Sequence, residues 1–317
     1  MPSPHRQWLL LFSVIAFSTC WNSERHATGD AMLGEIKGKL GFDLIELDHS
    51  VRMSLMPGIQ KMFDTGEIRF SSLHNFCPSP AGSPMTSIDC SKFSAASAEE
   101  RERAVTQTLQ SIDLAGQLSA SFIVLHLGQV NMNPITERLI ALAKAGGYLS
   151  REYVRVKISA VEEREKIAPE CLQRVKNCLR RIVEYAAAKN IRIGLEARRD
   201  YEQIPTEREL ANLLDEMNSP ILGYWHDFGH SQIKENLGFL DHAEWLRAVG
   251  PRAFGCHVHD CIWPARDHQP PFTGGVDFEK LVPLLSTNCL FVWEMNPNKA
   301  ADTIRQSVQM WKERFGE

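Results

Sequence analysis

The chain has 317 residues, 44% of them hydrophobic and 23% charged, ordinary proportions for a folded protein with enough apolar material for one large α/β domain. A net charge of −4 and a pI near 6.3 argue against an extended phosphate-neutralising surface, so a small-molecule partner is favoured and no nucleic-acid partner is expected. Beyond the N-terminal run, no segment reaches the ~18 apolar residues of a membrane span, and no membrane partner is expected.

The N-terminus reads in two ways. His5 and Arg6, followed by the apolar run from Trp8 to Phe17, resemble the charged and apolar regions of a signal peptide. Residues 14–19 read equally well as a first strand entering the polar loop WNSERH. Cleavage near Cys20 would delete that strand, so retention and a cytoplasmic enzyme are the expectation. Asp30 can cap a helix over 30–40. A strand over 42–47 contains FDLIE, which closes on Glu46. A short helix over 55–63 precedes a strand over 68–74, where FSSLH closes on His74. A longer helix over 98–118 leads to a strand over 122–126, where FIVLH closes on His126.

The longest interruption follows, with extra helices over 135–145 and 160–166 inside about 129–169. Placed after the fourth strand, it is suited to a lid or an oligomer contact, and a homo-oligomer is compatible with it. The second half has strands over 191–196, 222–227, 253–259 and 290–294. Helices are expected over 171–189, 207–217, 242–249, 278–285 and 300–315; Thr206 with Glu207 and Glu209 marks the start of the second of these. Eight strands alternating with helices predict an α/β fold, a single (β/α)8 TIM barrel spanning 1–317 with a helical insertion after strand 4.

Four of the strands stop on metal-capable groups: IRIGLE at Glu196, ILGYWHD at Asp227, AFGCHVH at His257 and LFVWE at Glu294. They recur at intervals of about 30–37 residues, roughly a strand, a helix and their loops. In such a barrel the C-terminal ends of the strands build the active site. Two glutamates, an aspartate and an imidazole meeting there make an oxygen-rich site for one divalent cation. Glu46, His74 and His126 share the phase, and His230 follows Asp227 by three residues, on the first turn leaving the strand. His49, His226 and His242 read as structural or surface histidines.

The densest stretch is CHVHDCIWPARDHQPPFTGGVDF, from Cys256 to Phe278. His257 and His259 alternate and so face the same way on a strand, one as ligand and the other deeper or beyond the strand end. Arg266 and His268 lie on a loop stiffened by Pro264, Pro270 and Pro271. The eight cysteines form no CxxC pair or short disulfide framework, which fits a reducing compartment. Cys77, Cys256 and Cys261 flank the site but read as buried small hydrophobes.

On LGYWHDFGH, GCHVHD followed by DHQPPFTGGVDF, and the glutamates of GLEAR and VWEMN, the chain resembles the sugar phosphate isomerase/epimerase superfamily. That superfamily has the xylose-isomerase-like TIM barrel and also contains endonuclease IV. The resemblance implies Mn2+ or Zn2+ first, Co2+ or Mg2+ next, held by Glu196, Asp227, His257 and Glu294. It implies that His230 and Arg266 contact substrate oxygens. In the nuclease branch, His74 and His126 match histidines that hold an additional zinc bridged by Glu196, and His230 with His268, together with Asp267, echoes a third zinc site. Asp267 and His268 are adjacent here, whereas the nuclease motif separates those ligands by one residue.

The leading expectation is a metal-dependent sugar isomerase or epimerase acting by proton transfer next to a carbonyl, through a metal-bound enediolate. Glu196 and Glu294 act as its acid and base. Glu46, His74, His126, His230, Arg266 and His268 contact a sugar or polyol substrate. The alternatives are a metal-dependent dehydratase or lyase of keto-sugars or keto-inositols, an endonuclease-IV-like zinc phosphodiesterase, and a non-catalytic sugar-binding barrel.

Overall fold

The computed structural model describes residues 15–80 and 91–316. Val14, the apolar run before it and Cys90 lie outside the described residues. The strands β1 (Ile15–Ser18), β2 (Leu44–Leu47), β3 (Arg69–His74), β4 (Phe122–Leu125), β5 (Arg192–Glu196), β6 (Leu222–Asp227), β7 (Ala253–Val258) and β10 (Leu290–Trp293) close a barrel in the order β1-β10-β7-β6-β5-β4-β3-β2. Neighbouring strands run parallel throughout. Two short strands outside it, β8 (Asp260–Ile262) and β9 (Arg266–Gln269), pair antiparallel.

The barrel has two apolar layers. Most of the core lies between strands and helices, while Ala16, Phe122, Val124, Trp225, Leu290 and Val292 form a separate cluster. Trp225 is fully buried, and glycines on the flanking strands make room for it. A Cβ at Gly194 would come within 2.8 Å of its ring, and one at Gly255 within 2.4 Å. Strand side chains repeat every second residue, so Glu196 follows Gly194 on the inner face, Asp227 follows Trp225, His257 follows Gly255 and Glu294 follows Val292. The polar layer therefore rests on an apolar plug that holds each strand end in register.

Between the strands run α1 (Gly29–Leu40), α2 (Met56–Asp64), α3 (Ala98–Gln117), α4 (Ile135–Lys144), α5 (Arg151–Lys189), α6 (Glu207–Met217), α7 (Phe228–Asn236), α8 (His242–Val249), α9 (Phe278–Leu281) and α10 (Ala301–Phe315). The expected start of α6 is a capping box, with the Thr206 hydroxyl accepting from the Glu209 N–H and the Glu209 side chain reaching back. Three expectations need correction. The helices expected over 160–166 and 171–189 are one 39-residue helix, α5, which passes through Pro169. Ala160, Arg164, Ala168, Cys171, Val175, Cys178 and Ile182 give it a continuous buried face, and that burial outweighs the one hydrogen bond the proline removes. α7 was not expected because its residues, mostly polar, have no apolar stripe; it is buried nonetheless and is capped by Asp227, which accepts from the His230 N–H at 2.6 Å. The loop after His259 contains the β8–β9 ribbon, anchored by Asp260, whose buried carboxylate accepts from the N–H groups of Cys261, Gly274 and Val276.

Among the described residues no helix is long and apolar enough to cross a membrane. Seven described cysteines are free. Burial pushes the thiols of Cys77 and Cys256 well above their ordinary range and that of Cys261 up to about 12, which leaves them unreactive.

Candidate metal centre and cavity

The four strand ends converge on one atom. Nδ1 of His257 lies 3.5 Å from Glu196 Oε2, 3.7 Å from Asp227 Oδ2 and 3.4 Å from Glu294 Oε2. The other ring nitrogen, Nε2, donates to Glu46 Oε1 at 3.1 Å, and Glu46 in turn accepts from the Ser72 hydroxyl at 2.7 Å. Nδ1 has no hydrogen-bond partner although it is buried. A carboxylate behind one imidazole nitrogen fixes the ring and directs the lone pair of the other toward a cation. Three buried carboxylates around that lone pair are a donor set that a divalent cation fits. The structure brings together all four expected ligands, with Asp227, His257 and Glu294 in one group of donor atoms and Glu196, Asp227 and His230 in another.

The charges at the site are held by its histidines. Burial alone would raise the Glu196 carboxyl, but His126 and His230, each within hydrogen-bond distance of one of its oxygens, hold it well below the usual range. Burial likewise opposes ionisation of Asp227, which His230 and His259 outweigh. For Glu294 the opposing burial is overcome by His257 and His268, and its pKa falls to about 2. Burial would lower the His257 imidazole, yet Glu294 and Glu46 raise it well above its ordinary value.

A second donor group forms around Glu196. His126 Nε2 lies 3.1 Å and His74 Nε2 3.4 Å from Glu196 Oε2, and the three qualify as metal donors. His74 Nδ1 faces the Asn75 carbonyl at 3.2 Å; a carbonyl only accepts, so Nδ1 carries the proton and Nε2 faces the glutamate. Burial would lower His74, but the hydrogen bond and charge of Glu196 raise it to about 9. His126 is pushed down to about 3 by burial and by Arg198. His230 Nδ1 lies 3.0 Å from Glu196 Oε1 and 3.2 Å from Asp227 Oδ2.

Above this floor opens a cavity of about 380 Å3 that Glu196, Glu294, His74, His126, His230 and His268 line. Two expected substrate contacts fall elsewhere. Glu46 is fully buried and supports His257 from below instead of facing the cavity, because the strand parity that turns it inward places it one layer under the mouth. Arg266, expected on the cavity, is exposed at the start of β9 and is absent from the lining. Residues not singled out beforehand also line it: Cys20, His49, Arg198, Arg199, Gln203, Met295 and Asn296. His49, read as structural, follows the end of β2 and contacts Asp48 at 2.6 Å. A signal for Arg198 and Arg199 was available in EARR, two basic residues close behind the expected ligand Glu196. Loop residues such as Gln203 and Asn296 carried none.

The family described as "Xylose isomerase-like TIM barrel" matches residues 38–314. No curated protein sequence matches the chain. Among solved structures, a D-tagatose 3-epimerase-like protein is 18% identical, with 95% of this chain and 96% of that one covered at a TM-score of 0.66. A D-allulose 3-epimerase from Methylomonas sp., in complex with D-allulose, is 16% identical, with 95% and 97% covered at 0.64. The IOLI protein with a binding zinc atom is 14% identical, with 96% and 100% covered at 0.66. At these identities the likeness is one of fold.

Proposed function

The chain belongs to the xylose isomerase-like TIM-barrel family, and from that premise we propose that it is a divalent-metal-dependent sugar isomerase or epimerase that moves a proton next to a carbonyl. The observation that carries this reading is the convergence of three carboxylate oxygens on the unpartnered Nδ1 of His257. Glu196, Asp227, His257 and Glu294 would hold a manganese or zinc ion, or else cobalt or magnesium, which would supply Lewis acidity next to a substrate carbonyl.

The chain's own residues do the rest. Glu196 ends β5 and Glu294 follows β10, with β6 and β7 between them in the barrel, so the two carboxylates approach a substrate from different sides of the floor. One takes the α-proton and the other returns a proton, on the same carbon for epimerisation or on its neighbour for isomerisation. Each stays ionised, and hence ready to accept, through the histidines beside it. His230, His268 and His49 line the cavity with Gln203 and Asn296 and supply donors and acceptors for hydroxyls. A volume near 380 Å3 suits a small polar ligand. The sugar 3-epimerases among the similar structures support a ketose as the substrate class.

The test is deuterium wash-in: the metal-loaded protein, incubated in D2O with a panel of ketopentoses and ketohexoses, should place deuterium on the carbon next to the carbonyl, and chelation should abolish it. No exchange in any sugar refutes the proposal in favour of a binding barrel, and loss of water from the sugar points to the dehydratase or lyase branch. The second reading, a zinc phosphodiesterase, is favoured by the additional donor group of His74, His126 and Glu196. Elemental analysis separates the two: one metal per chain supports the sugar enzyme, and several zincs with cleavage of abasic DNA support the nuclease.

A further inference from the structure

His230, His259 and His268 lie close enough together to hold a cation by residue type and distance. The hydrogen bonds of His259 argue otherwise. Its Nδ1 accepts the backbone N–H of His268 at 3.0 Å, a bond that requires the lone pair on Nδ1. The ring proton is then on Nε2, which lies 3.1 Å from Asp227 Oδ2 and donates to it. A nitrogen that carries a proton has no lone pair for a metal. Turning the lone pair of Nε2 outward would set Nδ1–H against the amide N–H of His268, two donors face to face.

The ring has no freedom to escape this arrangement. His259 is fully buried. The His268 ring stacks on it at 4.2 Å with 10° between the planes, and Gly229 lies so close that a Cβ there would fall 2.2 Å from Nδ1. The glycine of the DFGH segment is therefore required by this imidazole. Through His259 the carboxylate of Asp227 is joined to the β8–β9 ribbon, which carries His268 to within 3.5 Å of Glu294. The Asn296 N–H donates to the His268 carbonyl at 3.2 Å and closes the link on the β10 side.

We propose that His259 is a positioning residue and not a metal ligand: its Nε2–H holds Asp227 for the metal while its Nδ1 holds the His268 main chain, so the ribbon and the ligand carboxylate keep one geometry. The proposal rests on the metal-enzyme reading above for its consequence, and on hydrogen-bond geometry alone for the placement of the proton.

Two substitutions separate the two bonds. His259→Gln keeps a donor near the Nε2 position, and His259→Asn keeps an acceptor near the Nδ1 position. In competition with a chromophoric chelator, zinc affinity should fall by about 10–100-fold in His259→Asn, the usual cost of losing a group that orients a ligand, and far less in His259→Gln. Zinc per chain should be the same in all three proteins. Loss of one zinc equivalent in His259→Asn would overturn the proposal, as would equal affinity in wild type and both variants, or an equal fall in both. Should the asparagine variant not fold, long-range 15N NMR of the histidine-labelled wild type decides. A protonated Nε2 with an unprotonated Nδ1, unchanged when zinc is added, supports the assignment, and the opposite tautomer or a zinc-induced shift of either nitrogen overturns it. A wild-type protein that binds no divalent cation defeats the metal-enzyme reading, and the metal-free spectrum still settles His259 in one direction or the other.

Discussion

Replacing Glu46 by glutamine removes one charge from beneath the centre and little else. The residue is fully buried, accepts from His257 Nε2 at 3.1 Å and from the Ser72 hydroxyl at 2.7 Å, and is nearly the same size as glutamine. The amide oxygen can keep the His257 bond, but as a neutral acceptor. A hydrogen bond to a charged group contributes about 1.5–3 kcal/mol and a neutral one about 0.5–1.5, so the ring loses about 1–1.5 kcal/mol of support, close to a tenfold change in affinity. Loss of orientation extends this toward the 10–100-fold range seen when such supports are removed. The proton competes with the cation for Nδ1, since Glu294 and Glu46 raise the His257 pKa against the effect of burial. Removing Glu46 weakens that competitor too. The affinity loss in Glu46→Gln should therefore be full in alkaline buffer, where wild-type His257 is deprotonated, and should shrink as pH falls. Zinc titration against a chromophoric chelator at several pH values measures both. Unchanged affinity in alkaline buffer, with the variant folded, would refute the claim that Glu46 acts through His257.

Glu294→Gln should lower deuterium wash-in by about 100- to 10,000-fold, the usual contribution of a general acid or base, while equilibrium binding of the sugar is largely kept; isotope exchange at the wild-type rate would remove Glu294 from the proton path. Gly255→Ala presses a methyl into Trp225 at 2.4 Å and should destabilise the protein by about 1–3 kcal/mol, read from urea unfolding; an unchanged midpoint would show that the plug under the site is loosely packed. Burial holds His242 down to about 3 in the folded protein, whereas in the unfolded chain it takes a proton near the ordinary histidine value of about 6.5. Its contribution is therefore fully present above about 6.5 and is lost as pH falls toward 3. Urea unfolding across that window should show a shallower fall in stability for His242→Gln than for wild type, and parallel curves would contradict this.

Much of the barrel was legible because two periodicities write it into the chain. Short apolar runs ending on Glu196, Asp227, His257 and Glu294 mark the strands, and Thr206 with Glu209 marks a helix start that the structure realises as a reciprocal cap. Pro169 misled because local propensity is a weak prior against a long buried helix face. α7 was hidden because a helix carrying His230, Ser231, Gln232 and Lys234 inward has no apolar stripe to read. Glu46 and His74 have the same phase on neighbouring strands, yet one supports His257 from below and the other lines the cavity. Depth along the barrel axis depends on how far each strand is staggered against the next, and β2 shifts register against β3 between Ile45 and Glu46.

The sequence by itself determined the alternation of strands and helices and the residue types at four strand ends, since both follow from local pattern. Only the tertiary structure decided which atom each of those residues offers and to what. The orphan Nδ1 of His257, the carboxylate of Glu46 behind it, and the proton that His259 turns toward Asp227 each depend on a neighbour distant in the chain. Hydrogen-bond direction is a property of pairs in space, and no spacing along the chain contains it.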